Sequence, residues 1–134
     1  MTKMSTTDRK QAVSLIEQHC EVHFTIGGFW DIEGMTTFLD GVNQAALPLM
    51  QKRAPIYALG DFTDFVPQDR QTGEMIRDHL MGAQKFGLKR IAVVGASALV
   101  TMQYKRLSDG LEVEFFDTKA AGVAWLRERA REAA

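Results

Sequence analysis

The sequence GDFTDFVPQDRQTGEMI, residues 60–76, concentrates side chains of the types that do chemistry. Asp61, Asp64 and Asp69 lie close together along the chain, and Thr72 stands directly before a glycine. Carboxylates at the end of a strand could hold a magnesium ion or share acid and base roles. A hydroxyl at a helix start could carry a phosphate, because free amides and the helix dipole favour an anion there. Helix capping and turn formation use the same residue types, so all three interpretations stay open.

The other chemical motifs in the sequence are incomplete. The segment VVGASALV, residues 93–100, has one glycine where the dinucleotide-binding fingerprint needs three. His19 and His23 have a spacing that suits a metal on a helix, but a strand or a turn would separate their side chains. The single cysteine, Cys20, cannot form an intramolecular disulfide. The sequence therefore favours a protein with no metal and no cofactor.

Composition narrows the classes of partner. The chain has 134 residues, 46% of them hydrophobic, which suits one domain around one core. Lysine and arginine number 16 against 17 for aspartate and glutamate, so no net charge attracts nucleic acid. The polar N-terminus does not resemble a secretory signal, and no apolar run approaches the roughly 18 to 20 residues of a membrane-spanning helix. We therefore expect a cytoplasmic protein without a membrane span that does not bind nucleic acid.

An antiparallel hairpin is expected at the start of the chain. Val13 and Leu15, and then Val22, Phe24 and Ile26, alternate with polar residues, which is the period of half-buried strands. The few residues between these two runs leave room for a turn but not for the crossover that parallel strands need. The first two strands should therefore be antiparallel neighbours.

Strands and helices alternate through the rest of the chain. A helical pattern follows Asp31, which we expect to cap it, and Pro48 should kink or end that helix. Apolar runs at 56–62 and 90–96 predict buried strands, and Thr118 is the expected cap of the last helix. Strands that alternate with helices imply parallel pairs joined by right-handed crossovers.

These elements predict an α/β fold in a single domain over residues 11–131. Its mixed sheet should have about five strands, an N-terminal antiparallel hairpin followed by parallel strands, with about four helices. Residues 1–10 are polar and are expected to be a disordered N-terminal segment.

Three stretches of the sequence resemble a known family. YALGDFTDF at 57–65 leads to a Thr-Gly helix start, KRIAVVGAS occupies 89–97, and LEVEFFDTKAAGVAWL closes the domain at 111–126. Together with the initial hairpin, they resemble the STAS domain superfamily and, more closely, its SpoIIAA-like branch, also described as STAS/SEC14-type. The likeness runs from about Val13 to Leu126. It implies the fold more specifically than it implies an activity.

The resemblance implies a regulatory protein and not an enzyme. In anti-sigma-factor antagonists of this superfamily, a partner kinase phosphorylates a serine or threonine that precedes glycine, and that role falls on Thr72 here. We therefore predict a non-enzymatic domain that binds a protein partner, such as an anti-sigma-factor-like kinase, through the 60–76 loop and the adjoining helices. The residues assigned to this partner contact are Phe62, Asp64, Phe65, Asp69 and Gly73.

Two other functions stay open. The likeness of the SpoIIAA-like branch to lipid-carrier domains implies a pocket for a small apolar or lipid-like ligand, between the first two helices and the sheet. The candidate walls of this pocket are Met35, Phe38, Met75, Met81 and Phe86. A third hypothesis is metal-assisted hydrolysis at Asp61 and Asp64. A homodimer also stays open as a partner arrangement.

Overall fold

This computed structural model describes residues 10–133, with side chains as far as residue 128. The described strands are β1 (Lys10–Ile16), β2 (Glu21–Gly27), β3 (Ile56–Asp61), β4 (Leu88–Val94) and β5 (Glu112–Phe116). The helices are α1 (Ile32–Gln51), α2 (Arg70–Lys85), α3 (Ala98–Leu107) and α4 (Lys119–Ala133). Residues 1–10 were expected to be disordered, and residues 1–9 lie outside the described part of the chain. Lys10 is the first residue of β1 and pairs with Gly27.

One sheet contains all five described strands, in the order β1-β2-β3-β4-β5. β1 is antiparallel to β2, and every later neighbouring pair is parallel. The predicted α/β class, the opening hairpin and the mixed sheet with four helices are therefore confirmed.

The hairpin closes through a short 3-10 turn at Glu17–His19 and then Cys20. Cys20 has a φ of 56°, in the left-handed region, and its N–H donates to the Glu17 carbonyl oxygen at 3.1 Å. In the resulting register Val13 lies opposite Phe24 and Leu15 lies opposite Val22. Because opposite residues share a face, Val13, Leu15, Val22 and Phe24 are presented to the same side of the sheet.

Helix α1 continues past its proline. Asp31 caps its start as expected, with Oδ1 accepting from the Gly34 N–H at 2.7 Å. Pro48 lies inside the helix, which does not end until Gln51, so of the two expected outcomes, a kink or an end at Pro48, the end is excluded. Only the last turn of the helix follows Pro48. The chain then reverses at Arg53, which has a φ of 55°.

Helices cover both faces of the sheet unequally. α1, α2 and α3 pack on one face and enclose the larger buried apolar cluster. α4 packs on the other face, over β3, β4 and β5. The smaller cluster there consists of Tyr57, Leu59, Ala92, Val94 and Leu126. The guanidinium of Arg127 also donates to both carboxylate oxygens of Glu21 on β2, at 3.0 and 3.2 Å.

The carboxyl ends of β2 to β5 meet at one edge of the sheet, because these strands are parallel. The connections at 28–31, 62–69, 95–97 and 117–118 leave from this C-terminal edge. Open α/β sheets bind ligands at such an edge, so it is the first place to look for a site. Among the helices of residues 10–133, none combines the length and the apolar character that crossing a bilayer requires.

Candidate functional site

The two phenylalanines of the 62–69 connection lie in the core. Phe62 packs edge-on against Phe65, with ring centroids 5.2 Å apart, and against Tyr104 of α3 at 5.0 Å. Both phenylalanines are buried. This placement contradicts the expectation that Phe62 and Phe65 offer apolar contacts to a partner, because the chain turns back over the sheet after β3 and buries them under α3.

Thr72 and Gly73 are also enclosed. Asp69 caps α2, with Oδ1 accepting from the Thr72 N–H at 2.9 Å, and the Thr72 hydroxyl donates to the Trp30 carbonyl oxygen at 3.3 Å. Thr72 is 0% exposed, and Gly73 is buried beside Leu107 of α3. A kinase cannot reach the hydroxyl while the first turn of α2 stays folded. The structure therefore speaks against Thr72 as a phosphoacceptor in this conformation, and against Gly73 as a surface contact.

The aspartates at the end of β3 have separate local roles. Asp61 Oδ1 accepts from the Thr63 N–H at 3.0 Å and from the Thr63 hydroxyl at 2.7 Å, which makes a turn. Asp64 is exposed and forms an ion pair with Lys10 at 2.8 Å. Within the described part of the chain, no group of three or more His, Cys, Asp or Glu residues could hold a metal ion. Of the predicted contact residues, Asp64 and Asp69 are the ones at the surface.

Buried Gln68 joins three segments of the C-terminal edge. Its side-chain oxygen accepts from the Trp30 N–H at 3.0 Å, and its side-chain nitrogen donates to the Gly28 carbonyl oxygen at 3.1 Å. Its backbone N–H donates to Gln103 Oε1 at 2.9 Å, and its carbonyl oxygen accepts from Gln103 Nε2 at 2.8 Å. Gln68 therefore fixes the β2–α1 connection and the first turns of α3 against the 62–69 connection.

Each segment joined by Gln68 exposes an apolar side chain directly before its hydrogen-bonded residue. These side chains are Phe29, Pro67 and Met102. Ile32 at the start of α1 is exposed too, as is Leu99, which shares a face of α3 with Met102. We call Phe29, Ile32, Pro67, Leu99 and Met102 the rim surface. The 62–69 connection thus lies between two segments that expose apolar side chains, although its own phenylalanines are buried.

An apolar cavity of about 90 Å³ lies between α1, α2 and the sheet. Met35 and Phe38 line it, as predicted for a ligand pocket. Met75, Met81 and Phe86 do not line it: the two methionines are partly buried beside it, and Phe86, which is 65% exposed, follows the end of α2. The cavity is where the alternative hypothesis placed it, but its walls are mostly different residues.

Gln68, Gln103 and the rim surface were not predicted from the sequence. One usable signal exists in α3, where Val100 and Tyr104 form the buried stripe and Leu99 and Met102 are apolar residues outside it. Large apolar side chains out of phase with a helix's buried stripe indicate a contact surface. No comparable signal marks Gln68, because a glutamine in a connection gives no indication that it is buried.

The fold was compared with known proteins. No protein-family model and no curated protein matches the sequence. A crystal structure from Shewanella loihica PV-4, of an uncharacterised DUF3478 family protein with a SpoIIAA-like fold, is similar with a TM-score of 0.64 and 22% identity. That match covers 92% of this chain and 99% of the other. A candidate anti-sigma factor antagonist from Thermotoga maritima is similar with a TM-score of 0.60 and 15% identity, over 87% and 94% of the two chains.

These matches span nearly the whole chain and show that it has the SpoIIAA-like fold that the sequence resemblance implied. Neither similar protein is described as an enzyme. At these identities the likeness concerns the fold, and function has to be inferred from the surface and interior of this chain.

Proposed function

We propose that this protein is a non-enzymatic regulatory domain that binds a protein partner through the rim surface. The partner class that the fold suggests is an anti-sigma-factor-like protein of the cytoplasm, because one structurally similar protein is described as a candidate anti-sigma factor antagonist. Fold similarity alone is a weak basis for function, so the proposal depends mainly on the surface of this chain.

The observation that carries the proposal is that the exposed apolar side chains belong to segments whose backbones are joined by the hydrogen bonds of Gln68. Leu99 and Met102 are 65% and 62% exposed on one face of α3, and Phe29 stands across the Gln68 connection from them. A segment whose backbone is already fixed loses little backbone freedom on binding, which favours affinity. Apolar anchors at the centre of an interface contribute most of its binding energy.

Charged residues lie next to this apolar centre on the side of the 62–69 connection and α2. Asp64 and Asp69 flank Pro67 in the 62–69 connection, and Arg70 and Glu74 follow on the exposed side of α2. A polar margin around an apolar centre is the usual arrangement of a protein interface. Asp64 and Asp69 thus keep the contact role predicted for them, at the margin of the interface.

Thr72 is not needed for this proposal. Its hydroxyl becomes accessible only when the first turn of α2 moves away from Trp30, which breaks the 3.3 Å hydrogen bond between them. A kinase partner that phosphorylates Thr72 would first have to open that turn. Phosphorylation would then act by displacing Trp30, whose N–H is hydrogen-bonded to Gln68 beneath the rim surface.

Site-specific photo-crosslinking in the native cell tests the proposal. We expect a photoreactive phenylalanine at position 99 to capture one dominant protein, identified by mass spectrometry. Met102→Asp should reduce that capture at least tenfold, because a carboxylate in an apolar contact is costly to desolvate. Phe86→Asp is the matched control, since Phe86 is equally exposed and follows the far end of α2. An unchanged product with Met102→Asp, or equal loss with Phe86→Asp, would refute the rim surface as the interface.

A further inference from the structure

The cavity between α1, α2 and the sheet has walls that are almost entirely apolar. Asn43 and His79 are the two lining residues with strongly polar side chains, and Tyr104 adds an aromatic wall whose hydroxyl pKa is raised by burial. A volume of about 90 Å³ could hold about three water molecules, but each needs two or more polar partners. The lining supplies too few such groups, so an apolar occupant suits the cavity better than water.

A groove of about 290 Å³ lies on the surface above the cavity, between α1 and α2. Leu47 and Phe86, both exposed, are part of its walls. The groove and the cavity share Asn43, Met50, His79 and Ala83 as lining residues. The two spaces are therefore adjacent, and the shared residues form the boundary between them.

A hydrogen bond lies across this boundary. His79 Nε2 donates to Asn43 Oδ1 at 2.9 Å and joins α2 to α1. Burial lowers the pKa of His79, and this outweighs the raising effect of Asp40, so the imidazole is neutral at neutral pH. No charged side chain lines either space within the described residues. The boundary therefore offers a neutral donor and a neutral acceptor.

We propose that the cavity and the groove form one binding site for a neutral, single-chain amphipathic molecule. Its alkyl tail fills the cavity, and its hydroxyl or amide group replaces the hydrogen bond between Asn43 and His79. A cavity of this size is smaller than the roughly 150 Å³ that accommodates benzene in an engineered protein, so it fits a short tail of about four carbons. The combined space of cavity and groove falls in the usual range for small-molecule sites, about 300 to 1,000 Å³.

The groove lies away from the rim surface. Leu47 is in the last turns of α1 and Phe86 follows the end of α2, whereas Gln68 is bonded to residues before the start of α1 and itself precedes α2. Binding of a ligand here and binding of a partner at the C-terminal edge can therefore be tested separately, and the failure of one does not decide the other.

The probe for this proposal is 1-butanol, with butyrate as the charged comparison. Titration of the full chain, followed by its amide NMR spectrum, should show saturable shifts around Ala58, Ile76 and Leu80, which line the cavity. Butyrate should bind at least tenfold more weakly, because the site offers no cation to its carboxylate. Shifts restricted to the groove, no saturable binding of 1-butanol, or equal binding of butyrate would overturn the proposal.

Two variants separate tail binding from head-group binding. Ala46→Leu fills the cavity and should weaken 1-butanol at least tenfold, with native amide shifts elsewhere showing that the variant folds. Asn43→Leu, at an exposed position that tolerates change, should weaken 1-butanol several-fold. Gln44→Leu is its matched control, because Gln44 lines the groove but not the cavity. Wild-type affinity in a folded Ala46→Leu, or in Asn43→Leu, contradicts the proposed site.

Discussion

The two faces of the sheet are held by different interactions. The face under α1, α2 and α3 has a large apolar cluster, and enough helix surface surrounds it to leave a cavity. The face under α4 has a much smaller cluster, in which Leu126 is the buried side chain that the described part of this helix provides. Because α4 makes little apolar contact with the sheet, we infer that the ion pair of Arg127 with Glu21 also helps to hold this helix on β2.

The Glu21 carboxylate is buried on that second face, at 1% exposure of its side chain. It accepts hydrogen bonds from Arg127 and lies 2.9 Å from His23 Nε2. Burial on its own raises the pKa of Glu21, but the bonds to Arg127 and His23 outweigh it and leave the pKa below its usual value. The charged form is therefore stabilised by the fold, and it fixes α4 to β2 on the face of the sheet that α4 covers.

Truncation of the Leu126 side chain should lower the free energy of unfolding more than the other substitutions predicted below. Leu126→Ala removes the main apolar contact of α4, and a buried Leu→Ala change costs about 2 to 5 kcal/mol. Because α4 has no other fully buried large side chain in its described part, the loss should be concentrated there. Hydrogen exchange should show α4 amides losing protection while those of α1 keep it.

Leu80→Ala on the other face is the matched control for this variant. It removes the same side chain from the larger cluster, so protection should fall across the whole sheet and not in one helix. If both variants lower protection in the same pattern, the two faces are not stabilised separately.

Replacement of Glu21 should have a smaller effect that depends on pH. Glu21→Gln keeps the shape but removes the charge, and the weaker bonds to the half-exposed Arg127 should cost about 1 to 2 kcal/mol at pH 7. Folding lowers the pKa of Glu21. The charged carboxylate therefore stabilises the fold at pH values above the usual pKa of the group, near 4.5. That stabilisation is lost as the pH falls through the lower, folded pKa.

Urea unfolding of wild type and Glu21→Gln at several pH values measures this effect. The difference in the free energy of unfolding between the two proteins should be largest at pH 7 and should shrink steadily below about pH 4.5. A difference that stays constant down to pH 3 would mean that the ion pair does not fix α4. Arg70→Gln is the control, because its pair with Glu74 is exposed and should contribute almost nothing.

Local patterns in the sequence predicted most of the fold. Alternation in the hairpin, capping by Asp31 and Thr118, and the apolar strands all depend on neighbouring residues, and the structure has each of them. The sequence left open whether Pro48 kinks α1 or ends it, and the helix continues to Gln51. These features need no knowledge of where the chain turns in space.

The candidate site could be predicted only in part. That Phe62 and Phe65 are buried, and that the Thr72 hydroxyl is bonded to Trp30, depends on how the 62–69 connection folds back against α3 and the β2–α1 connection. Contacts between residues far apart in the chain leave no local pattern. The buried Gln68 is the clearest case, because its partners belong to two distant segments.

The most direct test of the proposed function is hydrogen exchange on the complex between this protein and the partner captured at position 99. We predict new protection at 28–33, 62–71 and 98–103, the three segments that Gln68 connects, with α4 and the hairpin turn unchanged. Protection that appears on α4 or on β1, with those three segments unaffected, would contradict the rim surface as the site of partner binding.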